Sequence, residues 1–406
     1  MKSKAFSDLI NQLASIARYG PHAFMNLGPD AFVEMYGAGS EMISFLAVGG
    51  VREWMDGVMK IYSSDPLFED WFTKKVFAAK VADFIRFLRA NDRACGQADL
   101  ALFRQRIAGE PMIDVSVVAP IRGVTLQQPT VQLGNFTIYA PKIILDSVRL
   151  DATEMDDLKL KFLRDVPLIE IRVSAKDTDR CYEKANLAFS RFENVCNYIT
   201  GRFYNETKVR VYNQNMPDEI ECIMISDGQV TKAFRYSHPH FPVPLDAPVL
   251  QDFSHGYDKL WAWITDAKND LQRKILISVE WCGRALAEPD PIKALLQFVI
   301  ALESILQFDE GAFITPSIVS HLSDSVAFLV GTDRKSRMEC AGYIKDLYST
   351  RSGITHTGKA EVSSLSLHTA HVMCKKVIKK IMTEPPYTSF TSKKELGKYL
   401  ANLKFG

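Results

Sequence analysis

Arg351 and His356 stand five residues apart in the stretch Tyr348-Ser-Thr-Arg351-Ser-Gly-Ile-Thr-His356-Thr-Gly358. A guanidinium keeps its charge at any working pH, whereas an imidazole takes or gives a proton near neutrality. Held together, the two can do acid–base chemistry on a phosphodiester. The histidine moves the proton and the arginine neutralises charge on the phosphoryl oxygens. The spacing alone is not selective. Arg235-Tyr-Ser-His-Pro-His240 repeats it in a proline-rich stretch with nothing rigid to fix the side chains. Both residues also have plain structural uses, an exposed histidine beyond a helix and an arginine drawn to a helix C-terminus.

The elements around the pair set it apart. Apolar residues recur at helical spacing from Leu260 to Glu288, with a break expected near Asn269. Asp290-Pro291 reads as an N-cap followed by proline in the first helical position. The helix it opens carries Leu295, Phe298, Val299, Leu302, Ile305 and Leu306, with Glu303 amid that apolar surface. Ile318–Val330, Ala341–Arg351 and Glu361–Met382 read as three more helices, so the pair follows the end of one and precedes the next. Lys375, Lys376, Lys379 and Lys380 then form two pairs four residues apart on one helix face. Such a face grips an RNA backbone or is simply a solvated helix end.

Upstream, residues 1–110 read as mainly helical, with Phe6, Leu9, Ile10, Leu13 and Ile16 at helical spacing. Arg86, Arg89 and Arg93 share a helix face and form a basic stripe suited to phosphates, or a solvated face balanced by Asp83 and Asp92. Residues 111–245 alternate apolar and polar side chains in short runs around one helix at 178–200 that Asp177-Thr178 opens. That is an α+β pattern, an antiparallel sheet covered by a helix. Four prolines between 237 and 250 mark a connection, and 246–269 a linker with a lead-in helix. Residues 270–384 read as an all-α bundle and 385–406 as a basic tail. The whole chain is α+β with a helical C-terminal domain.

The formal net charge of +1 gives no global field for nucleic acid, so any such contact must come from local patches. Seven scattered cysteines without a C-x-x-C pair point to reduced buried thiols in a cytoplasmic protein. No early run is long and apolar enough to span a bilayer, so no membrane partner is expected. His368 and His371 are three apart on the last long helix but lack a third ligand, and Cys222, His238, His240 and His255 are looser still. No metal or cofactor is expected, and no Walker loop is present to bind a nucleoside triphosphate.

Three segments in order, Trp281-Cys-Gly-Arg-Ala-Leu-Ala-Glu-Pro-Asp leading into Ala301-Leu-Glu303-Ser-Ile-Leu306, then Tyr348-x-x-Arg351-Ser352-x-Ile354-x-His356, then the closing helix after Gly358, resemble the Apea-like HEPN domains. The resemblance covers roughly residues 270–382. One departure is that the family usually has glycine directly after the histidine, where Thr357 stands here. The resemblance implies a helical bundle that dimerises and cleaves single-stranded or looped RNA without a metal, through an R-x4–6-H motif. It assigns Arg351 and His356 as catalytic residues, Glu303 as a group that orients them and Ser352 as a phosphate contact or a cap. It also implies an effector of bacterial anti-phage defence, with a phage-derived trigger acting on the N-terminal region. The alternative is a non-catalytic helical module used for dimerisation or for binding RNA or a nucleotide. Residues five apart on a continuous helix would lie about 140° apart, so a compact site then needs a second copy.

Overall fold

The computed structural model describes residues 1–19, 33–36, 43–46, 50–143, 166–201, 209–211, 221–226, 229–235, 242–308, 317–357 and 361–405. Gly358, Cys222's side chain, and His238 and His240 of the proline-rich stretch lie outside the described structure. The chain divides into two compact units, residues 1–117 with 172–185, and residues 118–171 with 186–406. These limits differ from the segments read off the sequence, because no contact-poor linker at 246–269 separates the sheet from the C-terminal helices.

In the first unit, α1 (Ser3–Ile16) precedes three short strands, β1 (Arg18–Tyr19), β2 (Val33–Tyr36) and β3 (Ile43–Leu46), paired antiparallel in the order β1-β3-β2. Then come α2 (Gly50–Tyr62), α3 (Pro66–Trp71), α4 (Lys74–Ala90) and α5 (Asp99–Ala108). Phe6, Ile10 and Leu13 of α1 are fully buried, while Leu9 and Ile16 pack at the margin. The core is aromatic: Phe6, Phe68, Phe77 and Phe84 gather around Phe103, with the Phe84 and Phe103 rings 5.1 Å apart. Each such ring removed from water stabilises the unit by about 1.5–3 kcal/mol.

The unit boundaries fall inside β4 (Ile113–Arg122), β8 (Leu168–Ala175) and α6 (Thr178–Thr200). Between them lie β5 (Val124–Thr125), β6 (Thr130–Leu133) and β7 (Phe136–Tyr139). Asp177 caps α6 as its sequence position suggests, accepting from Asp179 N at 2.9 Å and from Thr73 Oγ1 at 2.7 Å.

The second unit holds a sheet of order β6-β7-β8-β4-β9, where β9 is Arg210–Val211, with antiparallel pairings from β6 to β7, β7 to β8 and β4 to β9. A separate antiparallel hairpin joins β10 (Glu221–Ser226) and β11 (Gln229–Arg235). β12 (Val243–Pro244) pairs parallel with β5. Leu133, Phe136 and Ile138 face inward, where Phe136 meets Phe192 of α6 at 4.9 Å and Phe192 meets Trp261 at 5.3 Å. Trp261 sits on α7 (Tyr257–Asp266), its indole N–H donating to Leu250 O at 2.6 Å.

The helical region is completed by α8 (Asp270–Ala287), α9 (Pro291–Leu306), α10 (Ser317–Val330), α11 (Arg334–Thr357), α12 (Ser364–Thr383) and α13 (Lys393–Phe405). Asn269 ends the connection as a cap, accepting from Gln272 N at 2.9 Å, so the expected break between α7 and α8 is real. Asp290 caps α9 through Ile292 N at 2.9 Å. Residues 385–406, expected as a tail, mostly form α13, whose Leu396 and Leu400 are buried. Lys393 begins that helix with its N–H on Asp270 Oδ2 at 3.0 Å, so this stretch belongs to the core of the unit. No helix among the described residues is long and apolar enough to cross a membrane.

Candidate functional site

The largest difference from the sequence reading concerns the pair itself. The helix expected to stop at Arg351 runs on to Thr357 and begins seven residues earlier than expected, at Arg334. Ser352-Gly353 looks like a stop because a glycine in a helix interior costs about 1 kcal/mol relative to alanine. Helix α11 continues through it, with Thr355 Oγ1 bonded back to Arg351 O at 3.1 Å. Arg351 and His356 therefore share one continuous helix, about 140° apart around its axis. In a single chain they do not converge.

What does converge is Arg351 with Glu303 and Tyr348. Glu303 projects from α9, its carboxylate largely buried, and lies 3.7 Å from an Arg351 guanidinium nitrogen. Tyr348, one turn before Arg351 on α11, donates its hydroxyl to the same Glu303 oxygen at 2.5 Å. The guanidinium lies over the Tyr348 ring, 5.7 Å from its centre, within reach of a cation–π attraction. Burial, and then the bond to the Glu303 carboxylate, hold the Tyr348 phenol far above its ordinary range, so it stays a donor. Two long helices thus place one arginine near a carboxylate on one side and an aromatic ring on the other, with its side chain partly exposed. His356 is exposed in the last turn of α11, and Ser352 is exposed within the helix. Ser352 is therefore not a cap.

The other expected contacts divide. In the first unit Arg93 grips Asp99 through two nitrogens at 2.7 and 2.9 Å, and Arg86 bonds Tyr36 O at 2.9 Å and pairs with Asp83. Two of the three arginines in the stripe, Arg86, Arg89 and Arg93, are thus committed to the fold of their own unit. On α12, Lys375 reaches Ile199 O at 3.3 Å and lies over the Tyr198 ring, Lys379 meets His255 Nε2 at 3.4 Å, and Lys380 pairs with Glu384. Lys376 is exposed. His368 is exposed whereas His371 stacks on Phe298, where burial, then the nearby Lys375 and His368, push its pKa down to about 4. Among the described residues, no group of three or more histidines, cysteines and carboxylates is placed to hold a metal ion. The six cysteines whose side chains are described are free and buried.

The part Tyr348 plays at Glu303 has no signal in its spacing. Nor does the motif around Arg351 point to Glu193, on α6, which accepts from Val211 N and lies 3.8 Å from Arg210. Burial raises its pKa to about 7 against the lowering effect of those two partners. Its place amid Phe189, Phe192 and Cys196 at helical spacing is the signal that would have found it. Glu280, on α8, is also buried, 2.9 Å from Arg191, with burial pushing its carboxyl up and Arg191 and Arg284 opposing.

No family model matches this chain, and neither a characterised protein nor a solved structure matches it.

Proposed function

We propose that the C-terminal helices form a HEPN-like domain and that the protein is a metal-independent endoribonuclease acting as a dimer. The observation that carries this reading is the Glu303–Tyr348–Arg351 cluster, which sets a partly exposed guanidinium beside a carboxylate on the helix that also carries an exposed histidine. In the reaction the ribose 2′-oxygen attacks the adjacent phosphorus while His356 takes its proton. The bond from phosphorus to the 5′-oxygen breaks, and that oxygen leaves protonated by an acid, which a second copy's histidine supplies. Arg351 neutralises the charge that builds on the non-bridging oxygens. The products are a 2′,3′-cyclic phosphate and a free 5′-hydroxyl. Because Arg351 and His356 diverge on one helix, two copies related by a twofold axis are needed to surround one phosphate. The resemblance extends the proposal to a cytoplasmic anti-phage effector held in check by the N-terminal region.

The test is to incubate the full chain with total RNA in EDTA and map the termini of the products. Cyclic phosphate ends that vanish in folded Arg351→Ala and His356→Ala variants are the expected result. Cleavage that survives both substitutions, or that needs added divalent metal, rejects the reading. The divergence of the pair equally suits the second reading, a helical module that binds RNA or dimerises without cutting. That module would leave RNA intact in every variant.

A further inference from the structure

Phe253 is the most exposed large apolar residue described, 78% accessible, and it stands in a turn closed by several hydrogen bonds. The turn is the 3-10 segment Phe253–His255. Asp252 Oδ1 accepts from Ser254 N at 2.8 Å, and Asp252 O accepts from Tyr257 N at 3.0 Å. Gly256 closes the turn at φ +73°, where a Cβ would meet Met382 at 3.1 Å, so the segment is seated against the C-terminal end of α12. A single exposed aromatic needs no explanation by itself. Its surroundings give it one.

Two lysines beside this turn are held by partners that leave their charge intact. Lys259 donates to Met382 O at 2.8 Å. Lys379 approaches His255 Nε2 at 3.4 Å, and His255 Nδ1 lies 2.8 Å from Asp252 Oδ2. A charged Lys379 needs Nε2 as acceptor, which leaves Nδ1–H to donate to Asp252. Neither a carbonyl nor an imidazole nitrogen supplies a negative charge to cancel an ammonium group. Asp252 stays ionised while it accepts from His255 and Ser254, Asp258 is half-buried and Glu384 pairs with Lys380, so four lysines, Lys259, Lys376, Lys379 and Lys380, stand against three carboxylates. Lys376, one turn before Lys380, is exposed.

The geometry points to a subsite for single-stranded nucleic acid in which Phe253 stacks on one unpaired base and Lys259, Lys376 and Lys379 hold the flanking phosphates. An exposed ring on a hydrogen-bonded turn, with lysines beside it, meets both needs of an unpaired strand, a stacking platform and an electrostatic track. A duplex keeps its bases stacked on each other and offers the ring nothing. The subsite deepens the ribonuclease reading by naming where substrate docks outside the cleavage centre.

The experiment is equilibrium binding of a fluorescein-labelled single-stranded RNA 12-mer and its duplex to the full chain in EDTA, using a variant with both Arg351→Ala and His356→Ala to prevent cleavage. Phe253→Ala is expected to weaken single-strand binding about tenfold with an unchanged melting temperature, and Phe253→Trp to restore it. Lys376→Ala and Lys379→Ala are expected to reduce the dependence of affinity on salt. Equal affinity in Phe253→Ala and its parent, or tighter binding of the duplex than of the single strand, overturns the inference. So does a change of self-association in Phe253→Ala without a change in RNA affinity, which would make the ring a protein contact. Binding does not depend on cutting. RNA cleavage that ignores Arg351 and His356 rejects the catalytic reading while the Phe253 result stands or falls separately.

Discussion

Single side chains in this protein are tuned by how deeply they are buried, and Glu193 shows the sign of the effect most clearly. Its carboxyl titrates at about 7 in the folded protein against about 4.5 when exposed, because burial disfavours the charged form. A raised folded pKa means that the folded state holds the proton more tightly than the unfolded chain does. The resulting stability is fully present below pH 4.5 and is lost as pH rises through 7. Glu193→Gln keeps an acceptor for Val211 N and cannot ionise. The difference in unfolding free energy between Glu193→Gln and wild type should therefore grow from pH 4 to pH 8 by about 3 kcal/mol in favour of the variant. Urea unfolding at the two pH values measures it, and a constant difference would refute the assignment. At the cluster around Arg351, Tyr348→Phe removes one hydrogen bond to a mostly buried carboxylate. A loss of about 1.5 kcal/mol is expected, shrinking markedly when Glu303 is already alanine. Additive losses in that double-mutant cycle would mean that the two residues are not coupled.

At the scale of elements, close approach decides more than propensity. Gly283 of α8 packs so tightly on α6 that a Cβ would fall 2.0 Å from Asn194 O. Alanine is the better helix former by about 1 kcal/mol, so local preference argues for a gain in stability. Contact with a backbone oxygen argues for a loss of about 2–3 kcal/mol. We expect the loss to prevail in Gly283→Ala, seen as a lower melting temperature with the helical circular dichroism retained. The same competition explains what could be read from the chain. Asn269, Asp290 and Asp177 announce their helices because a cap is a local bond between neighbours in sequence. The start of α11 had such a signal, Asp333 and Ser336 bonding each other's backbone N–H at 2.9 and 3.0 Å, but its polar first turns hide the apolar period. Its end was illegible for the opposite reason. Gly353 and the threonines around it favour a stop, yet the helix continues through all of them. Arg351 and Glu303 were both visible as residues. Their association is implied only by the family resemblance, because nothing in the spacing shows how α9 and α11 pack.

For the molecule as a whole, the divergence of Arg351 and His356 turns a question of chemistry into one of concentration. On the proposed two-copy site, the initial cleavage rate should rise with the square of chain concentration while monomers predominate, and linearly once dimers are complete. Sedimentation in the same range should show the two species. A rate that stays linear where only monomers are present would exclude the shared site. The placement of α13 has a consequence of another kind. Leu396 and Leu400 are buried, Gly397 lies so close to Phe308 that a Cβ would meet its ring at 2.7 Å, and Lys404 reaches Asp324 at 2.6 Å. A growing polypeptide must therefore extend past Leu400 before these apolar surfaces on the earlier helices can be covered. During synthesis the second unit remains unfinished almost to the last of these residues, the interval in which a chaperone has most to bind.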